Sequence, residues 1–284
     1  MLSLFTGQRS PSTSANAQQA DGPAVTAQQL EVAYDGRSAL CCADLAIPRE
    51  AITVLIGPNG SGKSTLMSAI AGLVTPRSGE LQVLGSPGPA RPGRAAYVMQ
   101  STEVDSLLPI SVVEVVTMAR FARRGFVSRL DQSDRQAVTA AMDRMEIGDL
   151  ANRRINQLSG GQRQRALVAQ GLAQEAEILM LDEPVMGLDL VSRQRIDAAV
   201  AAERSTGRCV IISSHDLDDA RTADHVVLLA GRVVAEGPAE AVLVPNNLRA
   251  TYGHRYLEAE DDTDVGIVDD RHGHGHPDSG GSST

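Results

Sequence analysis

Gly57-Pro58-Asn59-Gly60-Ser61-Gly62-Lys63-Ser64 fits the pattern G-x-x-x-x-G-K-[ST], the spacing of a phosphate-binding loop. Its glycines let backbone N–H groups turn inward around phosphate oxygens, and a helix starting at the lysine adds positive potential. In that reading Lys63 reaches the β and γ phosphates of a nucleotide, Ser64 ligates Mg²⁺, and Thr65 completes the contact set. The alternative is an ordinary glycine turn. Of 26 lysine and arginine residues only Lys63 is lysine, so a chain that otherwise uses arginine keeps one compact ammonium here. A second group is the apolar run Ile178-Leu179-Met180-Leu181, which ends in Asp182-Glu183. Parallel strands present ligands at their carboxyl ends, which sets Asp182 beside the loop to hold Mg²⁺ directly or through water. Glu183, one residue on, can polarise a water for in-line attack on the γ-phosphorus. A third group, Leu158-Ser159-Gly160-Gly161-Gln162, opens a helix with a serine and two glycines. That choice costs helix propensity but turns free N–H groups and a hydroxyl outward toward an anion.

These groups need elements to position them. The pattern predicts strands at 25–34, 40–47 and 52–56, then the glycine loop and a helix from Lys63 to about Leu73. Short strands at 81–84 and 95–99 precede a helical insert with helices at 112–121 and 131–145. Beyond it come a helix from about Ser159, a strand at 178–181, a helix at 191–204, a strand at 210–213 and a helix from Asp216. Alternating strands and helices imply an α/β fold on a parallel sheet. A hairpin, Val226–Leu229 and Arg232–Ala235, and a short helix after Pro238 close the domain.

Residues 1–24 are rich in Ser, Gln, Ala and Thr without apolar period and read as a disordered extension. Residues 246–284 read as an acidic, histidine-containing flexible tail, unfolded beyond about Tyr256. With 26 basic against 35 acidic residues the net charge is −9, which argues against a nucleic-acid partner. A hydrophobic fraction of 42% supports a substantial core. No run of eighteen apolar residues and no secretory leader is visible, so the chain is expected to stay in the cytoplasm. Cys41, Cys42 and Cys209 form neither a disulfide framework nor a zinc pair and read as buried or inert thiols, with a redox role as the alternative.

Taken together, the motifs and their order over about residues 25–245 resemble the ATP-binding cassette (ABC) family, the ATPase subunits of ABC transporters, whose signature is LSGGQ. The resemblance implies a P-loop NTPase with a RecA-like parallel core, an antiparallel β subdomain and a helical subdomain over about 101–170. It implies ATP and Mg²⁺ as ligands, and ATP hydrolysis driving transport. Through it Tyr34 corresponds to the aromatic that stacks on adenine, and Gln100 to the glutamine that touches Mg²⁺ and the attacking water. Asp189 falls in the loop that crosses to the opposite subunit, with Val185-Met186 where a small polar pair is common. His215 corresponds to the switch histidine at the γ-phosphate. The family implies a head-to-tail homodimer on ATP binding, with Ser159, Gly160, Gly161 and Gln162 acting on the partner's nucleotide. One set of motifs and no membrane span imply a separate permease, with the chain on the cytoplasmic face of the membrane. The apolar patch Val104–Ile110 is placed where a permease helix would dock.

Further stretches, among them Val112-Val113-Glu114-Val115-Val116 and Asp149-Leu150-Ala151-Asn152, resemble the cassettes of zinc and manganese importers. That implies uptake served by an extracytoplasmic metal-binding protein. Transport of an iron chelate or another substrate, and a non-transport ABC ATPase, are the alternatives. His272, His274 and His276 alternate with glycine, a spacing that can wrap imidazoles around one zinc ion; a solvated tail without a role is the competing reading.

Overall fold

The computed structural model describes residues 22–34, 37–100, 109–124, 129–253, 256–258 and 265–267. Its centre is a six-stranded sheet in the order β10-β9-β3-β8-β7-β6, made by β3 (Ile52–Ile56), β6 (Ala95–Val98), β7 (Ile178–Asp182), β8 (Cys209–Ser214), β9 (His225–Leu229) and β10 (Val233–Gly237). All neighbours pair in parallel except β10, which returns antiparallel on β9 as the expected hairpin. The inner strands β3, β7 and β8 are mostly apolar because both faces are covered. Ile178 and Met180 of β7 point into one cluster and Leu179 and Leu181 into another, all 3% exposed or less.

A second, antiparallel sheet, β2-β1-β4-β5, comprises β1 (Val25–Tyr34), β2 (Arg37–Ile47), β4 (Ser78–Val83) and β5 (Ser86–Pro87). Its apolar face, with Leu30, Leu40 and Ile47, shares a core with Leu66, Met67 and Ile70 of α1 (Lys63–Ala71). Helix α1 stops two residues earlier than the sequence pattern predicts, because Gly72 adopts the left-handed conformation (φ 77°) and its N–H caps the Ser68 and Ala69 carbonyls.

The helical insert holds α2 (Val112–Arg124), α3 (Gln132–Arg144) and α4 (Gly160–Ala173). Arg120 ties them together. Its guanidinium donates to Asp134 of α3 at 2.9 Å and to the Ala173 carbonyl at the end of α4 at 2.7 Å, with Arg120 and Asp134 almost fully buried. Behind the sheet lie α5 (Leu190–Ser205), α6 (Leu217–Arg221), α7 (Ala239–Val242) and α8 (Pro245–Tyr252). The last of these corrects the expected boundary at 245. Pro245 occupies the first helical turn, and Leu248 and Tyr252, four apart, bury against Val226 and Leu228. A short antiparallel pair, β11 (Tyr256–Glu258) with β12 (Val265–Ile267), lies in the stretch read as unfolded. Residues 1–21, Val104–Leu108 and the tail histidines are outside the described residues.

Removing one member of a buried ion pair strands the other charge. Arg120→Ala is therefore expected to lose about 3 kcal/mol or more of stability in urea titration; an unchanged midpoint would show that the pair does not hold the insert.

Candidate functional site

Three adjacent strands end together. In the parallel register Ile56 of β3 lies beside Ser214 of β8, and Asp182 of β7 beside Ser213. The residues that follow, Gly57, Glu183 and His215, consequently emerge at one edge.

From that edge the glycine loop runs into α1. At Gly57 the backbone passes so close to β9 that a Cβ would stand 2.0 Å from the Leu229 carbonyl oxygen, so no side chain fits. Gly62 caps α1 without a side-chain acceptor, which leaves the first N–H groups of the helix available. Lys63 is folded back into the loop, its Nζ donating to the Gly57 carbonyl at 2.7 Å and the Pro58 carbonyl at 3.3 Å. Burial lowers the ammonium's pKa, while the nearby Glu183 and Asp182 carboxylates raise it against that effect. The Ser61 hydroxyl is buried without a hydrogen-bond partner. A loop with free N–H groups, a recessed ammonium and an unpartnered hydroxyl is chemically matched to phosphate oxygens.

Asp182, 4% exposed, is clamped by two hydroxyls: Tyr97 donates to one oxygen at 2.9 Å and Ser213 to the other. Burial first, then the Asp182 charge and its hydrogen bond, raise the Tyr97 phenol's pKa, so it remains a proton donor to the carboxylate. Glu183 has φ 46°, a left-handed conformation that disfavours a non-glycine residue by about 1–2 kcal/mol. The Glu183 N–H donates to the Ser213 hydroxyl at 2.9 Å and its carbonyl at 3.2 Å, which holds the turn. Gln100 donates its amide to Glu183 Oε2 at 2.8 Å and to the Met186 sulfur at 3.6 Å. His215 is exposed and shares with Glu183, Met186 and Gly187 a cavity of about 130 Å³. Ser214, which accepts from the Asp216 N–H and donates to Asp219 at 2.6 Å, fixes the chain just beyond the histidine. Tyr34, 45% exposed, stands at the end of β1.

The Ser159–Gln162 group opens α4. Its serine and glutamine form a reciprocal cap, Gln162 N–H to Ser159 Oγ at 3.3 Å and Ser159 N–H to Gln162 Oε1 at 3.1 Å. The hydroxyl thus already serves the helix end, where the sequence reading left it free. Gly160 faces open space, whereas a Cβ on Gly161 would stand 2.6 Å from Ser192 Oγ and 2.8 Å from Asp189 Oδ2. Asp189 caps α5 through the Ser192 N–H at 2.8 Å. The Gly161 and Asp189 stretches are therefore packed together.

The profile of the ABC transporter family matches residues 42–186. The chain belongs to that family. As an ABC ATPase it binds and hydrolyses ATP. It is 37% identical to the manganese transport system ATP-binding protein MntB of Bacillus subtilis, over 84% of this chain and 95% of that protein. It is 36% identical to the zinc transport system ATP-binding protein TroB of Treponema pallidum, over 82% and 88%. Among solved structures, an inward-facing ABC transporter of the metal-chelate type is similar at TM-score 0.70 and 25% identity, covering 85% of this chain and 94% of that one. A dimeric cassette in a post-hydrolysis state bound to ADP and Pi is similar at TM-score 0.67 and 25% identity, covering 76% and 98%.

Two hydroxyls at the site escaped the sequence reading. Tyr97 and Ser213 were visible only as strand residues, and their partner Asp182 lies 85 and 31 positions away in the chain. The available signal was a polar residue where β8 should remain apolar.

Lys63→Ala should lose ATP affinity by about a hundredfold in calorimetry, since it removes the one ammonium in the loop. Lys63→Arg should fail as well, because a planar fork cannot take the recessed position between the Gly57 and Pro58 carbonyls. Undiminished affinity in Lys63→Ala would contradict the phosphate-loop assignment.

Proposed function

We propose that this chain powers uptake of a divalent metal, manganese or zinc, through a separate membrane-spanning permease supplied by an extracytoplasmic metal-binding protein. The observation that carries the substrate is its likeness to the MntB and TroB subunits over nearly their whole length. The iron reading stays as an alternative because the chelated iron transport system protein YfeB of Yersinia pestis is 34% identical over 81% of this chain and 79% of that one. Among the described residues no helix is long and apolar enough to cross a membrane. We place the chain on the cytoplasmic face, held by its permease. A groove of about 370 Å³ lined by Pro109, Ile110, Val113, Met118 and Phe121 is the docking surface.

In this reading ATP draws Lys63 away from its own loop carbonyls to the β and γ phosphates. Gly57, Pro58, Asn59, Gly60, Ser61, Gly62, Ser64 and Thr65 wrap the phosphates, and Tyr34 stacks on the adenine. Ser64, Asp182 and Gln100 offer hard oxygen donors for Mg²⁺: Gln100 uses only its N–H on Glu183, and each Asp182 oxygen retains a lone pair. When bound, the ion screens the phosphate charge that repels an incoming oxygen. Glu183 takes the proton of the attacking water, Gln100 orients that water, and His215 steadies the γ-phosphate. Two copies close head to tail, so that Ser159, Gly160, Gly161 and Gln162 of one meet the ATP of the other. The contact between Gly161 and Asp189 would couple the signature helix to the crossing loop within each subunit.

His272, His274 and His276 are proposed as a modest zinc site in the tail, lost as the imidazoles protonate below about pH 6. Zinc titration should detect it in the full chain and not after truncation at Asp270; equal binding by both would remove the tail as a ligand set. For the main reading, purified Glu183→Gln should bind ATP, remain dimeric on size exclusion and lose turnover at least about a hundredfold. The host carrying the same substitution should lose manganese or zinc uptake. Normal uptake of both metals, or loss of iron uptake alone, would contradict the proposal.

A further inference from the structure

Only Cys209 is buried; Cys41 and Cys42 are exposed, so burial does not account for these two. The reason is a β-bulge. Between the Leu30–Ala43 and Val32–Leu40 pairs, β2 places two residues, Cys41 and Cys42, opposite the single Glu31 of β1. A regular strand would send neighbouring side chains to opposite faces. Here Cys42 takes φ 47°, and the two sulfurs lie 3.0 Å apart.

The bulge is joined to the nucleotide site by a short chain of contacts. The Cys41 N–H donates to the Gly231 carbonyl at 2.8 Å, and the Gly231 N–H donates to the Ser61 carbonyl in the phosphate loop at 2.9 Å. Leu40, the residue before the pair, lies against the end of that loop, where a Cβ on Gly62 would stand 3.2 Å from Leu40 Cδ1. Beyond the bulge the same hairpin ends at Tyr34, paired with Arg37.

We propose that Cys41 and Cys42 form a reversible redox-modification site, in which hydrogen peroxide converts the pair to a vicinal disulfide that weakens ATP binding at the adjoining loop. The effect on ATP rests on the nucleotide site described above. One sulfur attacks a peroxide oxygen; the O–O bond breaks, leaving a sulfenic acid and one water. The other sulfur then displaces the sulfenic hydroxyl, forming the S–S bond and a second water. Two thiols thereby lose two electrons and two protons, and one peroxide becomes two waters. The hydrogen bond with Cys41, the charge of Cys41 and, more weakly, the Glu31 and Asp44 carboxylates raise the Cys42 thiol's pKa. Either sulfur can make the attack, and the other then resolves it. Ring closure between adjacent residues must reshape the bulge, and with it the amide that reaches Gly231. Cys209 is an internal control, its thiol pushed up to about 12 by burial.

The test treats the full chain with hydrogen peroxide, maps its peptides by mass, and measures ATP affinity by calorimetry before and after dithiothreitol. The expected result is loss of two hydrogen atoms from the peptide holding Cys41 and Cys42, an unmodified Cys209, and about tenfold weaker ATP binding, restored by reduction. Cys42→Ser and Cys41→Ser should each bind ATP normally and lose the reversible response. Free thiols after treatment, a crosslink only between chains, or a Cys41–Cys42 crosslink with unchanged ATP affinity would each overturn the proposal. Failure of the untreated, reduced protein to bind ATP would instead fall on the nucleotide site, and the crosslink would still be read by mass.

Discussion

The parallel register of β3, β8 and β7 is the constraint on which the nucleotide site depends. Because Ile56 pairs with Ser214 and Ser213 with Asp182, the loop, His215 and the two carboxylates leave the sheet at one level. A slip of one residue on β7 would turn Asp182 to the other face and break its contacts with both Tyr97 and Ser213. The register is in turn enforced by the polar partners of Asp182 rather than by burial, which is apolar on both faces. Each of these strands feeds two apolar cores, and a shifted strand would still be apolar but could not satisfy Asp182.

Within that frame the charged groups of the site are held by neutral partners. The Gly57 and Pro58 carbonyls accept from Lys63, the Tyr97 and Ser213 hydroxyls donate to Asp182, and the Gln100 amide donates to Glu183. Each is a neutral dipole and a weaker partner than an ionic one. The shape of the loop is fixed by the close pass of Gly57 against Leu229. The left-handed Glu183 adds to this preorganisation, since its strain persists only while the Ser213 contacts hold it.

Much of this was legible in the sequence because it depends on local rules. A glycine loop between a strand and a helix, an apolar run ending in two carboxylates, and a serine opening a helix are short-range patterns. What stayed hidden were contacts between distant elements. The Tyr97–Asp182 and Ser213–Asp182 bonds and the Arg120–Asp134 pair join residues whose separation no periodicity reports. Helix α8 was missed because Pro245-Asn246-Asn247 reads as a loop and only Leu248 and Tyr252 anchor it. The approach of the two thiols stayed hidden because a strand pattern gives no sign of a bulge, and the bulge alone brings adjacent side chains to one side.

In the proposed site, nucleotide affinity comes from phosphates held by the loop. Calorimetry of ATP, ADP and AMP with the wild-type chain tests it most directly. ATP and ADP should bind with comparable affinity, both presenting a β-phosphate to Lys63 and the N-terminus of α1, while AMP should bind at least about a hundredfold more weakly. AMP affinity equal to that of ADP would place the binding energy in the base and sugar and contradict the claim.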